Sequence, residues 1–358
     1  MHISLSEDKE KWNEFVLKNS SDEFLQSWEW GDFQKSYGRK VWRFAIKEGE
    51  KTVAQAMTMC MKLPARKSYV YVPRGPIWLK GTSVEQADML WSVFTQNWRL
   101  IGLESNAFFA SFEPGYRIAA NDDVHRNGVR KFIKSKGWKK TKQIQPEFEG
   151  VIDIAQSKEK LLEHMHQKTR YNIRLSEKKN LTIEQKNNKE GLQIFWDMLQ
   201  ETASRDKISM YPYSYYRKIH TILYESSKRG SNKIPVARIW IVKSEKGEPL
   251  SSALMVTFGK TAYYLYGASS NKKRNQMSNY FMQWKMMMWC KEKGFENYDM
   301  GGIAPPNITK KHPWESITRF KKGFGAETMQ YPGTFTYPYH TFWYNLYTTV
   351  KWIKRYIR

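Results

Sequence analysis

Runs of apolar residues with a period of two or at helical spacing divide the chain into short strands and longer helices. The most apolar helical run is Met277 to Lys291. Met277, Tyr280, Phe281, Trp284, Met287 and Met288 share one stripe, and Met282, Met286, Trp289 and Cys290 fill the other side. A helix that is apolar nearly all round is buried. The aromatic run Tyr263 to Ala268 predicts a strand before it, and Asn297 to Gly302 a strand after it. Phe320 to Gly325 follows on a turn. Strand, loop, buried helix and strand make an α/β unit, which binds ligands outside its strand ends.

The first half predicts a matching series. Asp8 to Asn19 and Gly31 to Tyr37 read as helices, and Trp42 to Lys47 and Thr52 to Met61 as a hairpin around the charged turn at Gly49. Tyr69 to Val72 is a strand stopped by Pro73-Arg74-Gly75-Pro76. Ser83 opens a long helix to Leu103, Ala107 to Phe112 is a strand, and Asp122 and Asp123 cap a helix ending near Gly137. Beyond Glu149 come a strand, Val151 to Ile154, and one helix from Ser157 that carries Met165 to Arg174. Lys189 to Arg205 and Tyr213 to Lys228 are further helices, and Val236 to Val242 and Leu250 to Phe258 a second hairpin. In both halves a hairpin with a charged Gly turn leads to an aromatic strand, a long helix and a strand, at an offset of roughly 190 to 200 residues. The expected fold is α/β (α+β): a duplicated domain, residues 1–148 and 149–330, with 331–358 packing back on the first.

Composition narrows the partners. The 358 residues carry 59 Lys and Arg against 35 Asp and Glu, a formal charge of +24, which suits a polyanion or an anionic membrane face. Cys60 and Cys290 lie in apolar surroundings without metal spacing, and His164 and His166, two apart, do not share a helix face. No metal site is expected. The charged start, Met1 to Trp12, lacks the apolar core of a signal peptide, and no run reaches the ~20 residues of a membrane span. A cytoplasmic protein, peripheral to the membrane at most, is the expectation.

The order hairpin, strand, loop, helix, strand resembles the core of GNAT acyltransferases. Their donor loop is Gly-rich, so that backbone amides can cradle the pyrophosphate of coenzyme A. Here the loop is Ser269 to Gln276, without glycine and with Lys272, Lys273 and Arg274, which disfavours that donor. A more specific resemblance lies in six motifs, in order: Ser27-Trp28-Glu29-Trp30-Gly31, Tyr71 to Pro76, Lys168 to Arg174, Tyr264 to Ser269, Tyr298 to Gly302 and Phe320 to Gly325. Together they resemble the FemABX family of peptidoglycan interpeptide-bridge peptidyltransferases, in its compact FemX-type variety without an inserted helical arm.

That resemblance implies two GNAT-like domains, and transfer of an amino acid from aminoacyl-tRNA to the stem peptide of a peptidoglycan precursor. It implies no coenzyme A and no metal. It places a catalytic lysine at Lys321, with Phe320 packing beside the terminal adenosine or acyl group. Diphosphate-binding cations are implied at Lys35 and Arg205. The residues themselves add candidates. Lys168, Arg170, Arg174 and Lys178, with Lys272, Lys273 and Arg274, are placed to meet tRNA phosphates, and Arg126, Arg130, Lys131, Lys134, Lys136, Lys139 and Lys140 form a second cluster. Tyr71, Arg74, Tyr211, Tyr215, Tyr264 and Tyr266 are expected to line a groove for sugar and peptide. A cation beside the ester carbonyl would stabilise the oxyanion as the acceptor amine attacks. No general base stands out; Asp299 is the nearest carboxylate on a strand end. The C-terminal segment from Phe342 mixes aromatics with cations, as in helices that lie in a membrane surface. The chain is expected to be a monomer. An acyl-CoA N-acyltransferase and a non-catalytic RNA- or envelope-binding protein are the competing readings.

Overall fold

The computed structural model describes residues 1–20, 22–119, 122–225, 233–306 and 312–356. It divides into two compact units, Met1–Glu147 with Tyr331–Arg358, and Phe148–Gln330.

The first unit begins with β1 (His2–Leu5), α1 (Lys9–Asn19) and α2 (Trp28–Ser36). The side chains of Asp8 and Ser27 accept from the amides of Lys11 and Trp30 and so start the two helices. The Trp-Glu-Trp-Gly motif is therefore helical throughout, three residues ahead of the predicted start at Gly31. The hairpin β2 (Lys40–Glu48) and β3 (Lys51–Lys62) leads to β4 (Ser68–Val72), the short β5 (Ile77–Trp78), α3 (Val84–Glu104) and β6 (Ala107–Phe112). Then come β7 (Ile118–Ala119), α4 (Asp123–Ser135), capped by Asp122, and β8 (Lys139–Thr141). A capping box of Ser83 and Gln86 opens α3, which buries Leu90, Trp91, Phe94 and Trp98 in the core.

The C-terminal segment completes this sheet. Strand β16 (Thr334–Pro338) lies between β6 and β8, antiparallel to both, giving the order β1-β2-β3-β4-β6-β16-β8. Helix α11 (Thr341–Tyr356) then lays Tyr344 and Tyr347 on Phe109, with ring centroids 5.3 and 5.5 Å apart.

The second unit opens with β9 (Phe148–Asp153), α5 (Lys158–His164) and α6 (Gln167–Glu177). These are two helices where the sequence pattern predicts one. Met165 is extended, and the Nδ1 of His166 accepts from the Lys168 amide to start α6 afresh. The unit continues with β10 (Thr182–Gln185), α7 (Lys189–Asp206), α8 (Tyr213–Glu225), β11 (Val236–Lys243), β12 (Pro249–Phe258) and β13 (Thr261–Ser269). The predicted end of α8 at Lys228 lies outside the described residues. Buried α9 (Ser278–Glu292), β14 (Asn297–Gly302), α10 (Glu315–Gly323) and β15 (Glu327–Gln330) finish it. The order β10-β11-β12-β13-β14-β9-β15 repeats the first sheet strand for strand. In each, a hairpin and a third antiparallel strand precede one parallel pair, β4·β6 or β13·β14. The fold is a tandem duplication of one α/β unit. Strands β1, β8, β10, β15 and β16 escape the sequence pattern because each is at most five residues long, too short for a period to register.

Candidate functional site

The parallel pair of the second unit comes apart. Only Thr261–Tyr263 of β13 pairs with Asn297–Asp299 of β14, yet β13 runs on to Ser269 and β14 to Gly302. A bulge in β12 between Leu254 and Met255 turns β13 at this level. The opening at the strand ends is where α/β sheets bind ligands.

Lys321 fills the opening. The motif that carries it is not a turn, as its two glycines suggest, but the last turns of α10, which aim the side chain inward. Only 6% of Lys321 is exposed, and its Nζ donates to the Gly302 carbonyl at 2.7 Å. Burial pushes the ammonium down from 10.5 to about 8, while the charges of Asp299 and Glu149 oppose that shift. Asp299, buried on β14, accepts from the Gly301 amide at 2.7 Å and shapes the turn that presents Gly302 to the lysine. Gly301 has φ +75°, and a β-carbon there would stand 3.7 Å from the Lys321 Nζ and 3.6 Å from the Tyr264 carbonyl. A side chain at that position would be strained and would enter the space above the amine. The carboxylate considered as a base is thus a brace for the turn, and Glu149 is a neighbour that no sequence motif marks.

Phe320 stacks edge-on with Tyr280 and Phe324, centroids 5.2 Å apart in each pair. Its ring is partly buried against the core. The His166 amide donates to the Gly323 carbonyl at 2.9 Å, and a β-carbon at Gly323 would meet the Thr169 Oγ1. The start of α6 is therefore seated on the end of α10, which joins two motifs far apart in sequence. Lys168, Tyr171, Arg174 and Lys178 are exposed along α6. Arg170 is not with them: it donates to the carbonyls of Leu162 and Met165 and closes the end of α5.

The loop after β13 uses its polar groups internally. The Asn271 amide donates to Glu201 at 2.6 Å and the Lys272 amide to the Ser270 Oγ at 3.1 Å. Lys273 pairs with Glu248, so only Lys272 and Arg274 of this trio stand exposed. Every N–H of the Arg205 guanidinium is engaged, by both oxygens of Asp206, by the Ser269 carbonyl and Oγ, and by the Asn271 Oδ1. Arg205 braces this loop instead of presenting a free fork. Glu201, one helical turn earlier on α7, shares that work; the four-residue spacing of the pair was its only sequence signal.

Beside the loop the tyrosines gather. Tyr211 and Tyr215 stack at 3.9 Å, and Tyr216 meets Tyr266 edge-on at 5.1 Å. Tyr211 is the exposed member. Tyr264 is partly buried, and its hydroxyl occupies the space a side chain at Gly267 would need. Burial pushes that phenol up to about 12, so it remains a neutral donor.

The first-unit candidates divide sharply. Lys35 is exposed in the last turn of α2. Tyr71 and Arg74 are each 3% exposed and belong to the interior, which corrects their assignment to a groove. The Tyr71 hydroxyl donates to the Glu113 Oε2 at 2.5 Å, a carboxylate that also accepts from Thr334 and from the amides of Ile144 and Gln145. Arg74 donates to the Pro146 carbonyl at 2.7 Å and covers the ring of Tyr331 at 3.2 Å. The second basic cluster is largely neutralised: Arg130 and Lys140 share Glu147, Arg126 pairs with Asp123 and Lys136 with Asp88. Lys131, Lys134 and Lys139 remain exposed. Among the described residues no group of His, Cys, Asp or Glu could hold a metal ion, and no helix is long and apolar enough to cross a membrane.

The chain resembles known proteins over nearly its whole length. A protein of Staphylococcus saprophyticus named lipid II:glycine glycyltransferase is 25% identical, over 94% of this chain and 93% of its own. The Staphylococcus aureus protein of the same name is also 25% identical, over 98% and 95%. The crystal structure of FemX superposes with a TM-score of 0.80 at 22% identity, covering 97% of this chain and 99% of that one. A tandem GNAT protein from the clavulanic acid pathway reaches 0.57 at 10% identity, covering 94% and 99%. The FemAB family matches residues 8–239 and 223–352, and with nearly the whole chain matched to it, this protein belongs to the FemAB family.

Proposed function

We propose that this protein is an aminoacyltransferase that builds a peptidoglycan interpeptide bridge, taking an amino acid from aminoacyl-tRNA to an amine on the stem peptide of a precursor. The observation that carries the reading is the buried ammonium of Lys321 at the parted ends of β13 and β14. Glycine and a lipid-linked acceptor are the first pair to try, because the curated relatives are named lipid II:glycine glycyltransferases.

The chemistry needs little more than positioning and charge. The acceptor amine forms the new N–C bond, the C–O bond to the ribose breaks, and the amine's proton ends on the released ribose hydroxyl. As the carbonyl becomes tetrahedral its oxygen turns anionic, and the Lys321 ammonium would stabilise that charge; removing one such donor costs about 3 kcal/mol. The ester is already activated, so neither a covalent nucleophile nor coenzyme A is required, and the glycine-free loop with its engaged amides suits no pyrophosphate cradle. Exposed Lys168, Arg174 and Lys178 on α6 supply phosphate contacts beside the Phe320-Lys321 motif.

The test is direct. Purified protein is incubated with labelled glycyl-tRNA, or other aminoacyl-tRNAs, and a lipid- or nucleotide-linked muramyl pentapeptide. An extended stem peptide is expected. Transfer from acetyl-CoA without any from aminoacyl-tRNA would overturn the reading in favour of an ordinary N-acyltransferase.

A further inference from the structure

Helix α11 has two apolar faces, and only one is used. Trp343, Tyr344 and Tyr347 face its own unit, where Lys67 lies 4.6 Å over the Trp343 ring and Tyr347 meets Phe108 and Phe109. On the other side Phe342, Leu346, Val350 and Ile353 recur at helical spacing and are 65%, 45%, 42% and 42% exposed. Exposed apolar residues scattered singly are ordinary, but four in one stripe along a helix call for an occupant. Leu103 adds to this surface at the near end: it is exposed next to Gly102, which packs on Tyr339 just before the helix.

Charge selects the occupant. From Thr341 to the end the sequence has no Asp or Glu, but has Lys351, Lys354, Arg355 and Arg358, and the chain as a whole carries +24. A second copy would bring two such cationic helices together with no carboxylate on either to balance them. An anionic lipid surface satisfies both features, since the stripe enters the acyl boundary while lysine and arginine reach the headgroups. Trp352, 60% exposed, suits the headgroup level, where aromatic rings concentrate.

We propose that α11 lies in the plane of an anionic bilayer, with Phe342, Leu346, Val350 and Ile353 sunk below the headgroups. This tethers the first unit where a lipid-linked substrate would be met, yet it stands apart from the transfer chemistry. The test uses vesicles without any peptidoglycan precursor, so binding is read whether or not the chain transfers amino acids.

The full chain is floated with vesicles of phosphatidylcholine alone, or of phosphatidylcholine and phosphatidylglycerol at about 7:3, in about 0.15 M salt. Flotation with the anionic vesicles is expected, with affinity falling at least about tenfold in Phe342→Ser/Leu346→Ser/Ile353→Ser. The residues that face the unit are untouched by these changes, so the melting transition should persist. Should it be lost, Lys351→Gln/Lys354→Gln/Arg355→Gln carries the test, because it keeps the stripe and must still weaken binding. Equal flotation of wild type and both variants overturns the proposal, as does equal binding to both vesicle types. No flotation, together with a dimer that the triple-serine change dissolves, assigns the face to a second copy instead.

Discussion

The two halves of this protein use one topology to opposite ends. In the first unit the parallel pair holds along its length, from Ser68 opposite Ala107 to Val72 opposite Phe112. In the second it holds only as far as Tyr263 and Asp299, and then the strands part. The helices beside these pairs differ at one decisive position. Counting back from Gly137 and Gly325, both at φ +82°, sets Phe132-Ile133-Lys134 against Phe320-Lys321-Lys322. Ile133 is 3% exposed within the first core, and Lys321 is 6% exposed in the opening of the second. A duplicated scaffold thus kept its buried position in both halves and changed what it buries. Where the strands stay paired an isoleucine closes the core. Where they part, an ammonium stands at the gap.

The contrast can be broken from either side. Placing the charge in the closed half should cost most: Ile133→Lys buries an ammonium among Trp91, Phe94 and Trp138 and should destabilise the protein by about 4 kcal/mol. A thermal or denaturant melt with an unchanged midpoint would mean that the first core is as open as the second. Removing the charge from the open half comes next. Lys321→Ala should lower turnover by about 100-fold or more while acceptor binding, followed by calorimetry, persists. Unchanged turnover would take Lys321 out of the mechanism.

The same lysine should be a burden to the fold. Its pKa falls from 10.5 to about 8 on folding, so between those values the unfolded chain binds more protons and stability rises with pH. Below about 8 the penalty is present in full. Lys321→Met should therefore stabilise the protein at pH 7, by up to about 3 kcal/mol, with the gain disappearing towards pH 10.5. A gain that persists at high pH would show packing, not charge, to be the cause. The smallest effect belongs to Asp299→Asn. It keeps an oxygen for the Gly301 amide but removes a negative charge near Lys321. The Lys321 pKa, read by NMR of its labelled ε-carbon, should drop below about 8, and a value that stays or rises would separate Asp299 from the lysine's charge.

How much was legible depended on the kind of signal. The longer strands, the long helices and their duplication follow from period and turn residues, because the core imposes those periods locally. The family emerged from six short motifs. The Lys321 motif was legible as residues but not as shape: its glycines suggest a turn, whereas helix α10 runs to Gly323 and lets Gly325 take the positive φ. The aromatic and cationic residues were harder. Tyr71 and Arg74 look like a groove lining and are interior, since Glu113 and Pro146, far away in sequence, supply their partners. Arg170, Arg205 and Lys273 look like phosphate contacts and brace helix ends and a loop. A long polar side chain can face a ligand or the protein's own backbone with the same local sequence.

By itself the sequence determined the repeated α/β series, the family, and a lysine beside a phenylalanine near the end of the second unit. Those features are local, or are carried by residue identity. Only the tertiary structure decided that β16 completes the first sheet, that β13 and β14 part after Tyr263, and that the Lys321 amine lies buried on the Gly302 carbonyl. Each joins residues far apart along the chain or rests on how long a strand pairing lasts. Such pairings are set by the packing of whole elements, which no local period records.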